Sequence, residues 1–90
     1  MPLLLITYDL RVEKKRPDIV KAIRERYPSN CKVCESSYVV ETDDTPDRAH
    51  ERLSNMFDDN DWRGIFRVGG DWQGRINSPD AAWLNQHLYP

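Results

Sequence analysis

A chain of 90 residues, with 39% hydrophobic and 10% aromatic residues, is too short to divide its buried surface between two cores. Its formal net charge of -2 argues against non-specific coating of nucleic acid, and two cysteines are too few for a disulfide scaffold. The apolar run Leu3–Ile6 is too short for a membrane span. We therefore expect one cytoplasmic domain over residues 1–90, without membrane association.

The charged residues are distributed unevenly along the chain. Residues 11–26 contain seven Lys or Arg and three acidic residues, whereas residues 41–61 contain eight acidic residues and two Arg. Solvated faces of two helices are the common origin of such runs. Flexible cations at the basic end would also contact phosphate without distinguishing sequences. We assign contacts with a nucleic-acid backbone to five cations, Arg11, Lys14, Lys15, Arg16 and Arg63.

The first half of the chain predicts a strand, a helix and a hairpin. The apolar stretch from Leu3 to Leu10 predicts the first strand. Pro17 suits the first turn of a helix that extends to about Tyr27. The segment CKVCESSYVVET, residues 31–42, is rich in β-forming residues but has a polar centre. We interpret it as two short strands, and one long kinked strand is the alternative.

The second half predicts a helix, a strand and a short C-terminal helix. Thr45 is a capping residue followed by Pro46, and apolar residues at helical spacing continue to Phe57. The segment WRGIFRV, residues 62–68, predicts the last strand, and a glycine pair follows it as a turn. Ser-Pro-Asp at residues 78–80 predicts the start of a C-terminal helix.

The order of these elements predicts the fold class. Strand, helix, strand, strand, helix, strand is typical of an α+β, ferredoxin-like βαββαβ domain with both helices on one face of an antiparallel sheet. In that arrangement the first strand lies between the third and the fourth. A three-stranded variant is the alternative. We expect residues 71–90 to be an extension that packs on the sheet edge of its own chain or of a partner chain.

The first strand is apolar on both faces, which predicts a homodimer. Leu3 and Leu5 share the face away from the helices, and a second copy of the sheet would cover them. Asp9 would then lie at the edge of the groove between the two copies. For the last strand we assign one set of residues to the helices, Trp62, Gly64, Phe66 and Val68, and the other set to the dimer face, Arg63, Ile65 and Arg67.

The two cysteines have the C-x-x-C spacing of redox and zinc motifs. A zinc site needs four ligands, and the sequence has no second pair. On a straight strand Cys31 and Cys34, three residues apart, would point to opposite faces. We therefore interpret both as small hydrophobic residues of a strand.

Four segments carry a resemblance to a known family: LLLITYDL, CESSYVVET, WRGIFRVGGDWQGRI and AAWLNQHL. They resemble the small proteins of the SinR family and, more distantly, the Cas-two type of CRISPR-associated protein and its VapD toxin relatives. Members of the CRISPR branch are ferredoxin-like homodimers, described as metal-dependent nucleases or as non-catalytic bridges between nuclease subunits. The resemblance implies that Asp9 binds a divalent ion. It maps further catalytic positions onto Ser37 and Tyr38, although Ser36 is a second serine where one is usual.

Two functional hypotheses follow from the resemblance. The first is a metal-dependent endonuclease acting on RNA or DNA phosphodiester backbone, with Mg²⁺ bound by Asp9 of both chains. The alternative is a non-catalytic dimeric adaptor or toxin-like binding module whose groove binds a protein partner or a duplex backbone. Asp9 also has a purely structural interpretation, in which it pairs with Arg63 or caps the following loop.

Overall fold

The computed structural model describes residues 2–88, which form a four-stranded antiparallel sheet and three α-helices. The mixed α and β composition predicted from the sequence is confirmed. Positions 1, 89 and 90, at the ends of the predicted domain and extension, lie outside the described residues. The strands are β1 (Leu3–Asp9), β2 (Asn30–Cys34), β3 (Ser37–Glu41) and β4 (Trp62–Val68), and the helices are α1 (Arg16–Arg26), α2 (Pro46–Leu53) and α3 (Ser78–Leu88).

The strand order across the sheet is β2-β3-β1-β4, so that β1 is central and antiparallel to both of its neighbours. A turn at Glu35 and Ser36 separates β2 from β3. The alternative of one long strand over this segment is therefore wrong. None of the three helices in the described part of the chain is long and apolar enough to cross a membrane.

One face of the sheet, the inner face, is covered by α1 and α2. Alternate residues of β1 point to this face, and both helices bury their apolar residues against them. The Thr45 side chain accepts a hydrogen bond from the Arg48 N–H at 3.1 Å, which is the predicted cap of α2. The inner core consists of the buried residues Leu4, Ile6, Tyr8, Leu10, Ile19, Ile23, Tyr27, Tyr38, Val40, Ala49 and Leu53.

Part of the opposite, outer face is covered by the chain's own C-terminal segment. Leu84 of α3 is buried against Leu3, and Leu5 packs against the same cluster. The carboxylate of Asp80, in the first turn of α3, accepts a hydrogen bond from the Lys32 N–H of the edge strand β2 at 3.0 Å. The sequence predicts that a second copy buries Leu3. The structure shows that α3 provides this burial, so the apolar first strand does not by itself require a dimer.

The predicted facing of β4 is wrong. Ile65 packs against the inner core, and Val68 packs against the outer cluster. Trp62 pairs with Asp9, and Phe66 pairs with Leu5, so Trp62 and Phe66 point to the outer face. Hydrophobic alternation favours the set without polar side chains, Trp62, Gly64, Phe66 and Val68, for the covered inner face. The register with β1 instead places this set beside Leu3, Leu5 and Asp9 on the outer face.

A buried carboxylate anchors the start of β4. The Asp61 side chain accepts hydrogen bonds from the Arg11 N–H at 2.9 Å and the Asp58 N–H at 2.8 Å, and it also pairs with the Lys15 ammonium. The Arg11 N–H and the Lys15 ammonium lower the pKa of Asp61 to about 2. This carboxylate thus connects the loop after β1 to the residue that precedes β4.

We expect Asp61→Asn to lower the melting temperature at pH 7. Because the pKa of Asp61 lies below the ordinary value of about 4, its ionisation stabilises the fold above that pH, and this contribution is lost as the pH falls through about 2. The melting temperature of the variant should therefore change less than that of the wild type between pH 4 and pH 2. Circular dichroism melts measure this, with the exposed neighbour variant Asp59→Asn as the control. Equal melting temperatures at pH 7 for Asp61→Asn and the wild type would contradict the anchoring role.

Truncation of Leu84 tests the cover provided by α3. Leu84 is 5% exposed, and Leu84→Ala should reduce the free energy of unfolding by about 2–4 kcal/mol because it leaves a cavity over the outer face. Gln86→Ala, at an exposed position of the same helix, should change it by less than about 0.5 kcal/mol. Urea unfolding measures both values. A cost at Leu84 no larger than that at Gln86 would show that α3 is not packed on the sheet.

Candidate functional site

Asp9 is the last residue of the central strand, and its side chain is exposed. The C-terminal segment covers the half of the outer face around Leu3 and Leu5, but it does not extend to Asp9. Among residues 2–88, Asp9 makes no hydrogen bond or ion pair. This carboxylate is therefore available to a ligand.

The uncovered part of the outer face forms a shallow depression of about 320 Å³ around Asp9. Two aromatic side chains flank it, with Trp62 75% exposed and Phe66 55% exposed. The Phe66 ring lies over Gly64, where a Cβ atom would come within 2.8 Å of the ring. We call this surface the open patch and define it by Thr7, Asp9, Trp62, Gly64 and Phe66. It combines the Asp9 carboxylate, which has no partner among residues 2–88, with an exposed apolar surface, and Arg63 also lines the depression.

The structure brings one of the two further predicted catalytic residues to this face. The Ser37 hydroxyl lies 2.8 Å from the Thr7 hydroxyl, and Thr7 belongs to the open patch. Tyr38 is 1% exposed and belongs to the inner core, with the Arg24 guanidinium 5.2 Å from the centre of its ring. Ser37 and Asp9 therefore share a face of the sheet, whereas Tyr38 is on the other one.

Arg63 lines the same depression as Asp9, but among residues 2–88 the two side chains form no ion pair. Its guanidinium donates hydrogen bonds to the backbone carbonyls of Asp58, at 2.9 Å, and Asp61, at 3.0 Å. It also donates to Nε2 of His50 at 3.3 Å. The structural interpretation of Asp9 as the ion-pair partner of Arg63 is therefore wrong.

The predicted basic loop is partly neutralised by its own neighbours. Lys15 forms ion pairs with Asp58, at 2.7 Å, and with Asp61, and these two carboxylates raise the pKa of Lys15. The side chains of Arg11 and Lys14 are exposed. Among the cations of this loop, Arg11 and Lys14 are therefore better placed than Lys15 to contact a phosphate.

Arg16 connects the loop to the hairpin between β2 and β3. It pairs with Glu13 at 2.7 Å and donates hydrogen bonds to the Glu35 carbonyl at 2.8 Å and the Ser36 hydroxyl at 2.6 Å. The hydrogen bonds with Glu13 raise the pKa of the Arg16 guanidinium above its ordinary value. Arg16 therefore has a structural role in addition to its predicted contact with phosphate.

A β-bulge overturns the predicted facing of the two cysteines, whereas the prediction that Cys31 is a small hydrophobic residue of a strand is confirmed by its burial in the outer cluster. Cys31 pairs with Val39, but the register shifts after Lys32, so that Cys34 pairs with Ser37. Val39 and Ser37 are two residues apart on β3 and share one face of the sheet, so the two cysteines that pair with them lie on that same face. Burial raises the pKa of Cys31 to about 11, while hydrogen bonds from the Ser37 hydroxyl and the Ser36 N–H lower the pKa of the exposed Cys34.

A single chain supplies one ligand for a divalent ion at the open patch. Within residues 2–88 there is no group of three or more His, Cys, Asp or Glu side chains arranged to hold a metal. Mg²⁺ retains several water ligands and often takes only one or two protein carboxylates. Asp9 has the right chemistry, exposure and freedom from internal partners, and a second carboxylate would have to come from a second copy.

Sequence reasoning located Asp9 but missed the residues that surround it. The sequence predicts that Trp62 and Phe66 face the helices together with Gly64 and Val68, whereas the structure exposes both aromatic side chains on the outer face. The spacing of Trp62, Gly64 and Phe66 at every second position was the available signal, since it places all three on one face. That signal does not say which face is covered.

A comparison with models of protein families finds none that matches this chain, and a comparison with curated proteins also finds no match.

Proposed function

We propose that this chain acts as a homodimeric, metal-dependent endonuclease on the phosphodiester backbone of RNA or DNA. The observation that supports this proposal best is the exposed Asp9 carboxylate, which has no partner among the described residues and ends the central strand. A carboxylate with a structural role would accept hydrogen bonds or form an ion pair, as Asp61 does. A carboxylate without an internal partner can bind a cation without first breaking an ion pair or a hydrogen bond of the fold.

The proposed fold assignment is ferredoxin-like. It is supported by the strand order β2-β3-β1-β4 and by the packing of α1 and α2 against the same face of the sheet. The third helix, α3, is an addition to that pattern, and it covers half of the outer face. In this assignment the open patch is the part of the outer face that remains for an interface.

The proposed dimer forms through the open patches of two copies. Trp62 and Phe66 are large apolar side chains that remain exposed, and such clusters are typical of protein interfaces. A two-fold axis through the patch would bring the two Asp9 carboxylates toward each other. Their mutual repulsion favours a divalent cation between them. The proposed interface thus differs from the one predicted from the sequence. It lies around Asp9 and not around Leu3, on the same face of the sheet.

Each of the nearby residues has a defined part in this proposal. A divalent ion held by the two Asp9 side chains would polarise a phosphate oxygen and supply water for hydrolysis. Arg11 and Lys14, in the loop that follows β1, would bind neighbouring phosphates. The hydrogen bond between Thr7 and Ser37 fixes both hydroxyl groups beside the patch.

The second candidate is a non-catalytic dimeric adaptor or toxin-like binding module. The residues that line the depression favour it, because they include one carboxylate and neither His50 nor His87, so the described part of one chain offers no evident general base there. Exposed aromatic residues also suit a protein partner. In this alternative Asp9 binds a cationic group of the partner instead of a metal.

The variant Asp9→Asn distinguishes the two candidates. In a nuclease, Mg²⁺ or Mn²⁺ should raise the melting temperature of the wild type and do so much less for Asp9→Asn, because the ion relieves repulsion between carboxylates. The same substitution should abolish Mg²⁺-dependent cleavage of labelled RNA and DNA while leaving the dimer intact. Differential scanning fluorimetry and gel assays measure these effects.

Asp59→Asn is the matched control, since it removes an exposed carboxylate outside the patch. It should retain both the metal response and cleavage. Cleavage that persists in purified Asp9→Asn would overturn the nuclease assignment. A stable wild-type dimer with neither cleavage nor a metal response would favour the adaptor.

Light scattering tests the dimer interface. The wild type should have about twice the mass of the 10.6 kDa chain, and Phe66→Glu should shift it to the monomer because each copy would bring a buried charge to the interface. Val12→Glu places the same charge on a 40% exposed residue outside the patch and should remain dimeric. A dimer that tolerates Phe66→Glu would place the interface elsewhere.

A further inference from the structure

A groove of about 470 Å³ runs between α1 and the hairpin of β2 and β3. Four cationic side chains line this basic groove, together with one acidic side chain, Glu35. Pro17 and Val20 are apolar residues that also line it, and they form its apolar floor. The four cations are Arg16, Lys21, Arg24 and Lys32.

The cations converge because of helical and strand periodicity. Lys21 and Arg24 are three residues apart on α1 and therefore lie on one face of that helix. Lys32 pairs with Tyr38 across the two strands, and Tyr38 points to the inner face, where α1 packs. Lys32 thus approaches the groove from the strand side. None of these three cations belongs to the set predicted to contact phosphate from the sequence.

Three of the four cations of the groove lack a strong ion-pair partner among residues 2–88, whereas Arg16 is paired with Glu13. Arg24 donates a hydrogen bond to the neutral side chain of Asn30 at 3.0 Å. Lys21 is 3.8 Å from Glu25, and both side chains are more than 60% exposed, so this ion pair is weak. The Lys32 side chain forms no ion pair with any residue in the 2–88 range. The groove therefore presents positive potential on a chain whose net charge is negative.

We propose that the basic groove binds the phosphodiester backbone of a single nucleic-acid strand, independently of a metal ion. The Arg24 guanidinium presents a planar set of donors that suits phosphate, and the two lysines add mobile positive charges. The apolar floor would contact sugars without distinguishing bases. The choice of nucleic acid over an acidic protein rests on the proposed nuclease function, whereas the cationic groove itself does not depend on Asp9.

The double variant Lys21→Gln/Lys32→Gln tests this binding site. Binding of labelled oligothymidylate is measured by fluorescence anisotropy in EDTA over a series of salt concentrations. Each phosphate contact contributes about 0.7 to the slope of log K against log salt, which corresponds to about fivefold in affinity at 0.1 M salt. The double variant should therefore bind about 25-fold more weakly at that salt concentration, with a slope smaller by about 1.4.

The charge-matched control is Arg26→Gln/Arg48→Gln. Both arginines are exposed and lie outside the groove, and the double substitution changes the net charge by the same amount. It should retain wild-type affinity within about twofold, because non-contacting charges are screened at this salt concentration. An equal loss in both double variants would show that only net charge matters and would overturn the site.

Two further outcomes would also overturn the proposal. One is a wild-type protein that does not bind oligothymidylate in EDTA. The other is polyglutamate that displaces the oligonucleotide at equal charge concentration, since this would indicate an acidic protein partner. Failure of the nuclease proposal is distinguishable, because binding in EDTA would persist in a protein that shows no Mg²⁺-dependent cleavage.

Discussion

The hydrogen bonds to the buried Asp61 carboxylate hold together the two segments that position the open patch. They join the backbone N–H of Arg11 and the Lys15 ammonium, both in the loop after β1, to the residue that immediately precedes β4. Because side chains alternate along a strand, a fixed position for Asp61 also fixes which residues of β4 point to each face. Trp62 is consequently placed beside Asp9 on the outer face, while Arg63 turns to the inner side.

The outer face is divided into a covered part and an exposed part. α3 covers the half around Leu3 and replaces the cover that a partner chain would otherwise supply. The other half retains Asp9 between exposed aromatic residues, and it is this division that leaves one carboxylate accessible. A surface that is apolar and yet carries an unneutralised charge suits an interface that also binds a cation.

The cations of the chain fall into two groups, those bound by partners within the fold and those exposed around the basic groove. Lys15 and Arg16 are bound by neighbouring carboxylates and carbonyls, which stabilises the loop and the hairpin. Lys21, Arg24 and Lys32 are exposed around the basic groove. The groove lies against the inner side of the sheet near β2, whereas the open patch lies on the outer face near β4. In the proposed function, strand binding and metal binding would thus occur on separate surfaces.

The sequence by itself determined the elements that depend on local signals. The apolar run of β1, the proline and cap at the starts of α1 and α2, and the polar turn at Glu35 and Ser36 are all encoded within a few neighbouring residues. Asp9 could be found in the same way, as a carboxylate that ends an apolar strand. Only the tertiary structure decided what depends on partners distant in sequence. The facing of β4 follows from the hydrogen bond between Arg11 and Asp61, which are 50 positions apart. The shared face of Cys31 and Cys34 follows from a bulge in the pairing of β2 with β3. The cover over Leu3 comes from α3, near the other end of the chain. Periodicity indicates that a residue set shares a face, but which face is buried is decided by the elements that pack there.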